Sequence, residues 1–267
     1  WWTATATGCG SMPDLYRTIG VPGAGKTRWI QTQVAAWSQE FGYEPRDFVL
    51  TSLTRAAATV LRGRIDVPAE NATTFHALAY RGLGKPPIAE VGALRKQWNE
   101  FCEKKGILDW SLEKEGNLDD DIYHERLAEF SPGQLLSMYT LWRVTGRTNR
   151  LLEETTSVFA RYWEGFKKDT ASIDFTDMLE LGLQLERCPG NPSVLMCDEA
   201  QDFTPLMWRL ALQWAQATNQ TVFCGDPAQV LYAYAGATPY SLLTPIDGEH
   251  YRLLSRSYRL MPEIQQY

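Results

Sequence analysis

Residues 20 to 27 read Gly-Val-Pro-Gly-Ala-Gly-Lys-Thr. Glycine at the first and sixth places, then lysine and a hydroxyl, is a spacing suited to holding a polyphosphate. Gly20, Gly23 and Gly25, with Pro22 and Ala24 between them, let the backbone wrap an anion without Cβ clashes and turn its N–H groups inward. A helix expected to begin near Lys26 adds the partial positive charge of its N-terminus. Lys26 is placed to reach the β and γ phosphates of ATP, and Thr27 to ligate Mg²⁺. The bland alternative is a glycine-rich turn that only caps a helix, and a strand candidate directly before with a helix directly after speaks against it. Further along, the apolar run 193 to 197 delivers two adjacent acids, Asp198 and Glu199. Asp198 is the candidate Mg²⁺ ligand, through water, and Glu199 the group that orients or deprotonates an attacking water. Two acids after a hydrophobic strand say little alone, but beside a phosphate cradle they form a hydrolytic pair.

Such groups need a frame. Strand candidates fall at 15 to 21, 48 to 53, 193 to 197, 221 to 225 and 251 to 255, and the first four run into a polar or glycine-rich turn and then a helix. This is the pattern of an α/β fold, a parallel sheet with helices on both faces, and ligands bind such sheets at the carboxyl ends of the strands. From 82 to 165 no β-rich run occurs. Trp98, Phe101, Leu127, Phe130, Leu135, Leu136, Tyr139, Trp142, Phe159 and Trp163 sit there among charges at helical spacings. An α-helical insertion is expected, its aromatics forming its own core, with base stacking by one or two of them as the alternative. The expected division is therefore 12–81 with 166–267 as the nucleotide-binding unit and 82–165 as the insertion. Residues 1 to 11 are set apart as a tag or artefact, since each of the first ten letters, WWTATATGCG, is also a nucleotide code.

A net charge of −6 over 267 residues excludes coating of nucleic acid by bulk positive charge, so any such contact must be a local groove. Five cysteines without a CxxC pair suggest neither a disulfide framework nor a zinc site, which fits a reducing cytoplasmic setting. No apolar run approaches the roughly 18 residues needed to span a bilayer, so no membrane role is expected.

The segments after the acids are more specific. DEAQDFTP (198 to 205) and GDPAQVLYAYAGA (225 to 237) resemble the DExQD and GDxxQxIYxxxGA patterns of the UvrD/Rep/PcrA family of superfamily 1A DNA helicases. TSLTRAAATVLRGRI (51 to 65), TTFHALAYR (73 to 81), IDFTDML (173 to 179) and SYRLMPEI (257 to 264) are similar to further family motifs, in family order. The resemblance implies a RecA-like P-loop motor domain that uses ATP and Mg²⁺ and grips single-stranded DNA. It implies that Gln229 senses the γ-phosphate, that Arg259 contacts it from the far side, and that Arg28 and Tyr258 sandwich the adenine. It assigns base stacking to Tyr234 and a place along the DNA groove to Thr51, Arg55, Thr74 and His76, with a buried histidine tying two loops as an equal reading of His76. Ser52 stands where the family often has a stacking aromatic, and Ala235 where it often has arginine, which implies a weaker hold on DNA.

In the family a second RecA-like domain completes the catalytic pocket. The chain is expected to stop before it and to hydrolyse ATP slowly alone. A P-loop phosphotransferase shares the cradle but has no use for Gln201 and Gln229. A non-motor module gated by ATP remains the second alternative.

Overall fold

A computed structural model describes residues 14–112, 133–246 and 248–258. Its strands are β1 Asp14–Gly20, β2 Phe48–Ser52, β3 Ala72–Thr74, β4 Val194–Cys197, β5 Gln220–Gly225 and β6 His250–Leu254. They form one six-stranded sheet in the order β3-β2-β4-β5-β1-β6, and every pairing is parallel. The five expected strands fall within a residue of their expected limits. β3 is the addition, too short at three residues to show any periodicity.

The α-helices of the described residues are α1 Lys26–Phe41, α2 Arg55–Arg62, α3 Phe75–Gly82, α4 Gly92–Lys105, α5 Gln134–Val144, α6 Arg150–Asp169, α7 Phe175–Gly182, α8 Pro205–Ala215 and α9 Pro239–Leu243. Parallel strands covered on both faces read as continuous apolar runs, and β2, β4 and β5 are buried at every position. The pleat then sorts their side chains. Val49, Leu195, Cys197 and Phe223 enter a cluster with Phe75 and Leu78 of α3, Leu179 of α7 and Trp214 of α8. Phe48, Leu50, Val194, Met196 and Val222 enter another with Trp29, Ile30 and Trp37 of α1 and Leu61 of α2. Helices thus cover both faces, as an α/β RecA-like domain requires.

α4, α5 and α6 build a third cluster around Trp98, Tyr139, Phe159 and Trp163. The Trp98 ring meets the Trp163 ring edge-on at 4.9 Å and the Phe159 ring at 5.9 Å, and its indole N–H donates to the Trp110 carbonyl at 2.8 Å. These aromatics are committed to packing, while Leu127 and Phe130 lie outside the described residues, as does the segment 1–11. At the neck below this cluster two backbone hydrogen bonds join the entering and leaving segments. Ala89 N–H donates to the Ile173 carbonyl and Ile173 N–H to the Pro87 carbonyl, both at 2.9 Å, and α6 runs on to Asp169 before the chain re-enters the sheet unit. Cys102, Cys188, Cys197 and Cys224 are buried free thiols. Among the described residues no helix is long and apolar enough to cross a membrane.

Candidate active site at the carboxyl edge of the sheet

Because the strands are parallel, the segments that follow β1, β2, β4, β5 and β6 all emerge along one edge. After β1 the chain turns through residues 21 to 25, with φ of 72° at Gly23 and 82° at Gly25, and enters α1 at Lys26. Both values lie in the left-handed region that glycine adopts without Cβ strain. A Cβ on Gly20 would lie 3.1 Å from Lys26 Cγ, 3.1 Å from Leu254 Cβ and 3.2 Å from Ala24 Cβ. A larger residue there would push the strand end, the loop and the helix a few tenths of an ångström apart. Lys26 Nζ donates to the Gly20 carbonyl at 3.1 Å, so the ammonium lies over the turn. The segment after β6 ties the same loop from outside: Ser257 Oγ donates to the Pro22 carbonyl at 2.6 Å, and Tyr258 N–H to the Gly23 carbonyl at 3.0 Å.

The acid pair emerges from β4. Asp198 is 6% exposed, and its N–H donates to the Thr51 carbonyl at 2.8 Å. Burial pushes its carboxyl up to about 7, and the neighbouring Glu199 charge pushes the same way; the Glu199 N–H and the charge of Lys26 only partly offset this. Lys26 and Asp198 therefore share one electrostatic environment at the sheet edge. Glu199 has φ 54° and ψ 39°, a left-handed conformation that costs a residue with a side chain about 1 kcal/mol. The Thr27 hydroxyl and the Asp198 carboxylate are hard oxygen donors, and a buried carboxylate whose ionisation is opposed by its surroundings suits a divalent cation such as Mg²⁺.

Beyond β5, Asp226 begins the loop that carries Gln229. Gln229 Nε2 donates to Asp226 Oδ2, and the Ala228 N–H to Asp226 Oδ1 at 3.1 Å. Gln201 joins this loop to the acid pair, and Asp202 holds its far end through the N–H groups of Leu231 at 2.8 Å and Tyr232 at 3.2 Å. The motif resemblance points to this region and to Gln201, but DEAQD gives no role to Gln201 or Asp202, because it shows the residues and not their long-range partners.

Along the rest of the edge the candidates separate. Arg28 is exposed on α1, and Tyr258, 75% exposed, takes Arg256 over its ring at 5.3 Å. Arg259 lies outside the described residues. Tyr234 is exposed beside Tyr232, with ring centroids 6.1 Å apart. Thr51 is fully buried, its hydroxyl donating to the Met196 carbonyl at 3.4 Å. Thr74 is buried too, its hydroxyl accepting the Ala77 N–H at 3.2 Å to cap α3. Both threonine side chains thus serve the frame, and only their backbone could face a groove. His76 is buried against Phe175, and desolvation first, then the charge of Arg55 at the start of α2, lowers its pKa to about 4.

The geometry sets a glycine-rich turn with Lys26, an acid pair and a glutamine-bearing loop along one edge of a RecA-like sheet, and residues 18–247 match the UvrD/REP helicase N-terminal domain. The chain belongs to that family. Among similar proteins, YjcD of Bacillus subtilis is 26% identical over 247 residues, 83% of this chain and 31% of that protein. The ATP-dependent DNA helicase PcrA of Leuconostoc citreum is 25% identical over 265 residues, 89% of this chain and 34% of that protein. The ATP-dependent DNA helicase UvrD2 of Mycobacterium tuberculosis is 25% identical over 281 residues, 91% of this chain and 39% of that protein. The chain spans about a third of the length of these curated relatives.

Proposed function

We infer that this domain binds and hydrolyses ATP to drive movement along single-stranded DNA, as part of a cytoplasmic helicase or translocase. The observation that carries the reading is the joint placement of Lys26 and the Asp198–Glu199 pair at the carboxyl edge of one parallel sheet, with the charge of Lys26 felt at Asp198. The backbone of Gly20 to Thr27, with Pro22, Gly23, Ala24 and Gly25 forming the turn, wraps the phosphates, and Lys26 leaves the Gly20 carbonyl to meet the β and γ oxygens. Mg²⁺, when bound at Thr27 and Asp198, supplies charge neutralisation of the triphosphate. Glu199 orients the attacking water and accepts its proton. Gln229 and Arg259 are assigned to the γ-phosphate, and Arg28 and Tyr258 to the adenine. Tyr234 is assigned to base stacking, with Arg55 and the backbone around Thr51, Thr74 and His76 along the strand. Family membership and the names of the relatives support DNA as the substrate.

The test is steady-state ATP hydrolysis by the full-length protein, with and without single-stranded DNA, beside Lys26→Ala. DNA should stimulate the rate, and Lys26→Ala should lower it at least about 100-fold, the usual loss when one charge-stabilising donor is removed. Hydrolysis indifferent to both DNA and Lys26 would end the reading.

A further inference from the structure

Between the acid pair and the Gln229 loop lies one buried amide that makes contact with both. Gln201 is 2% exposed. Its Nε2 donates to Glu199 Oε2 at 2.9 Å and to Asp202 Oδ2 at 3.0 Å, and its Oε1 accepts the Asp226 N–H at 3.0 Å. The chain makes room for this side chain. β5 ends at Gly225, where a Cβ would lie only 2.4 Å from Gln201 Oε1. Asp202 then clamps the other end of the loop through the N–H groups of Leu231 and Tyr232.

We propose that Gln201 is a positioning residue that fixes the Glu199 carboxylate to the loop 226–232, so that the water-orienting acid and the loop carrying Gln229 shift as one body. This rests on the function proposed above. The position demands a donor and an acceptor on one planar group of this length, which an amide supplies. A glutamate cannot donate to Glu199 and Asp202 and would set a third carboxylate between them. A methionine keeps the length and packing but does neither job. Because the group is buried, water is poorly placed to replace the lost bonds. Displacement of the acid by about 1 Å can cost about 100-fold in rate, so a tether of three hydrogen bonds bears on turnover without touching ATP.

The test uses the full-length protein and Gln201→Met. The kcat for ATP should fall about 10- to 100-fold with KM for ATP within about two-fold of wild type, because the phosphate cradle is untouched. Without nucleotide, amide hydrogen exchange over residues 226–232 should quicken about ten-fold while that of β1 and β4 stays put, since the loop loses a buried anchor. Unchanged kcat, a fall in kcat/KM carried by KM, or unchanged exchange would overturn the proposal. Should Gln201→Met fail to fold, Leu231→Pro removes one N–H that Asp202 accepts, at a residue 71% exposed and preceded by an extended Val230 that tolerates proline. It should lower kcat several-fold at constant KM, and wild-type kcat would refute the tether. If the wild-type protein shows no Lys26-dependent hydrolysis the functional reading fails by itself, while the exchange measurement, which needs no ATP, still decides whether Gln201 anchors the loop.

Discussion

Asp198 and Glu199 at the end of β4, and Asp174 and Asp177 at the start of α7, are both closely spaced acids in largely buried surroundings, yet Asp198 and Asp174 are balanced in opposite ways, while burial and the Asp174 charge leave Asp177 raised. At the neck of the inserted helices, Arg143 of α5 grips both oxygens of Asp174 at 3.0 and 2.8 Å and also pairs with Asp177 and, at 2.8 Å, with Glu180. Lys167 of α6 lies 2.8 Å from Asp174, 2.6 Å from Asp177 and 2.9 Å from Glu164. Burial alone would raise Asp174, but the two cations and the Asp177 N–H hold it down at about 2. Asp198, equally buried, sits up at about 7. Among the described residues no cation lies within ion-pair distance of Asp198 or Glu199. Asp174 is held by cations of its own fold and joins two parts of it; Asp198 has none at that distance, which is what the proposed binding of Mg²⁺ and ATP requires.

Function should therefore respond to one group and stability to the other. Glu199→Gln keeps the size of the side chain and an oxygen that can still accept from Gln201. Hydrolysis should fall about 10²- to 10⁴-fold, the range for loss of a general base, with nucleotide affinity and melting temperature close to wild type. A variant that melts early but turns over normally would reverse the roles assigned to the two groups.

Arg143→Met tests the other side. Removing one partner from a buried ion pair leaves uncompensated charge and costs about 3–5 kcal/mol. Urea unfolding should show a loss of that size, and the fraction still folded should bind nucleotide as wild type does. A loss below about 1 kcal/mol, the worth of an exposed pair, would mean that the network does not hold the neck.

The two groups also differ in how far the sequence reveals them. Lys26 and Thr27 belong to one unbroken run, and Asp198 and Glu199 directly follow a strand buried at all four positions, so the alignment of these segments on one edge follows from local pattern and parallel topology. Arg143 and Lys167 read as ordinary helical charges, because their partners stand 31 to 37 positions away from Arg143 and, for Asp174, seven from Lys167. The bonds of Gln201 to Asp226 and of Asp202 to Leu231 span 25 and 29 positions and are equally invisible in a line of text. β3 is too short to show in the sequence, and the inward hydroxyls of Thr51 and Thr74 are hidden there because threonine suits a buried strand, a helix cap and a phosphate contact alike. Residue type sets what chemistry is available; which side chains are free for it depends on packing.

The contrast can be pressed further by making the neck resemble the sheet edge. Glu164, Asp174 and Asp177 each offer an oxygen, all within 4.8 Å of one another, and the Lys167 ammonium occupies the space they share. Lys167→Ala leaves three carboxylates around a gap of suitable size for Ca²⁺, which takes oxygen ligands at about 2.3–2.6 Å. The variant should be less stable than wild type in chelator and regain part of the loss in calcium. With a Kd near 1 mM, 10 mM Ca²⁺ would restore about 1.4 kcal/mol, read as a rise in the urea midpoint that wild type lacks. Equal stabilisation of wild type would show that the ammonium does not fill the site, and no gain in the variant would show that Arg143 alone satisfies these acids. Either result would break the link between a missing internal cation and an open site.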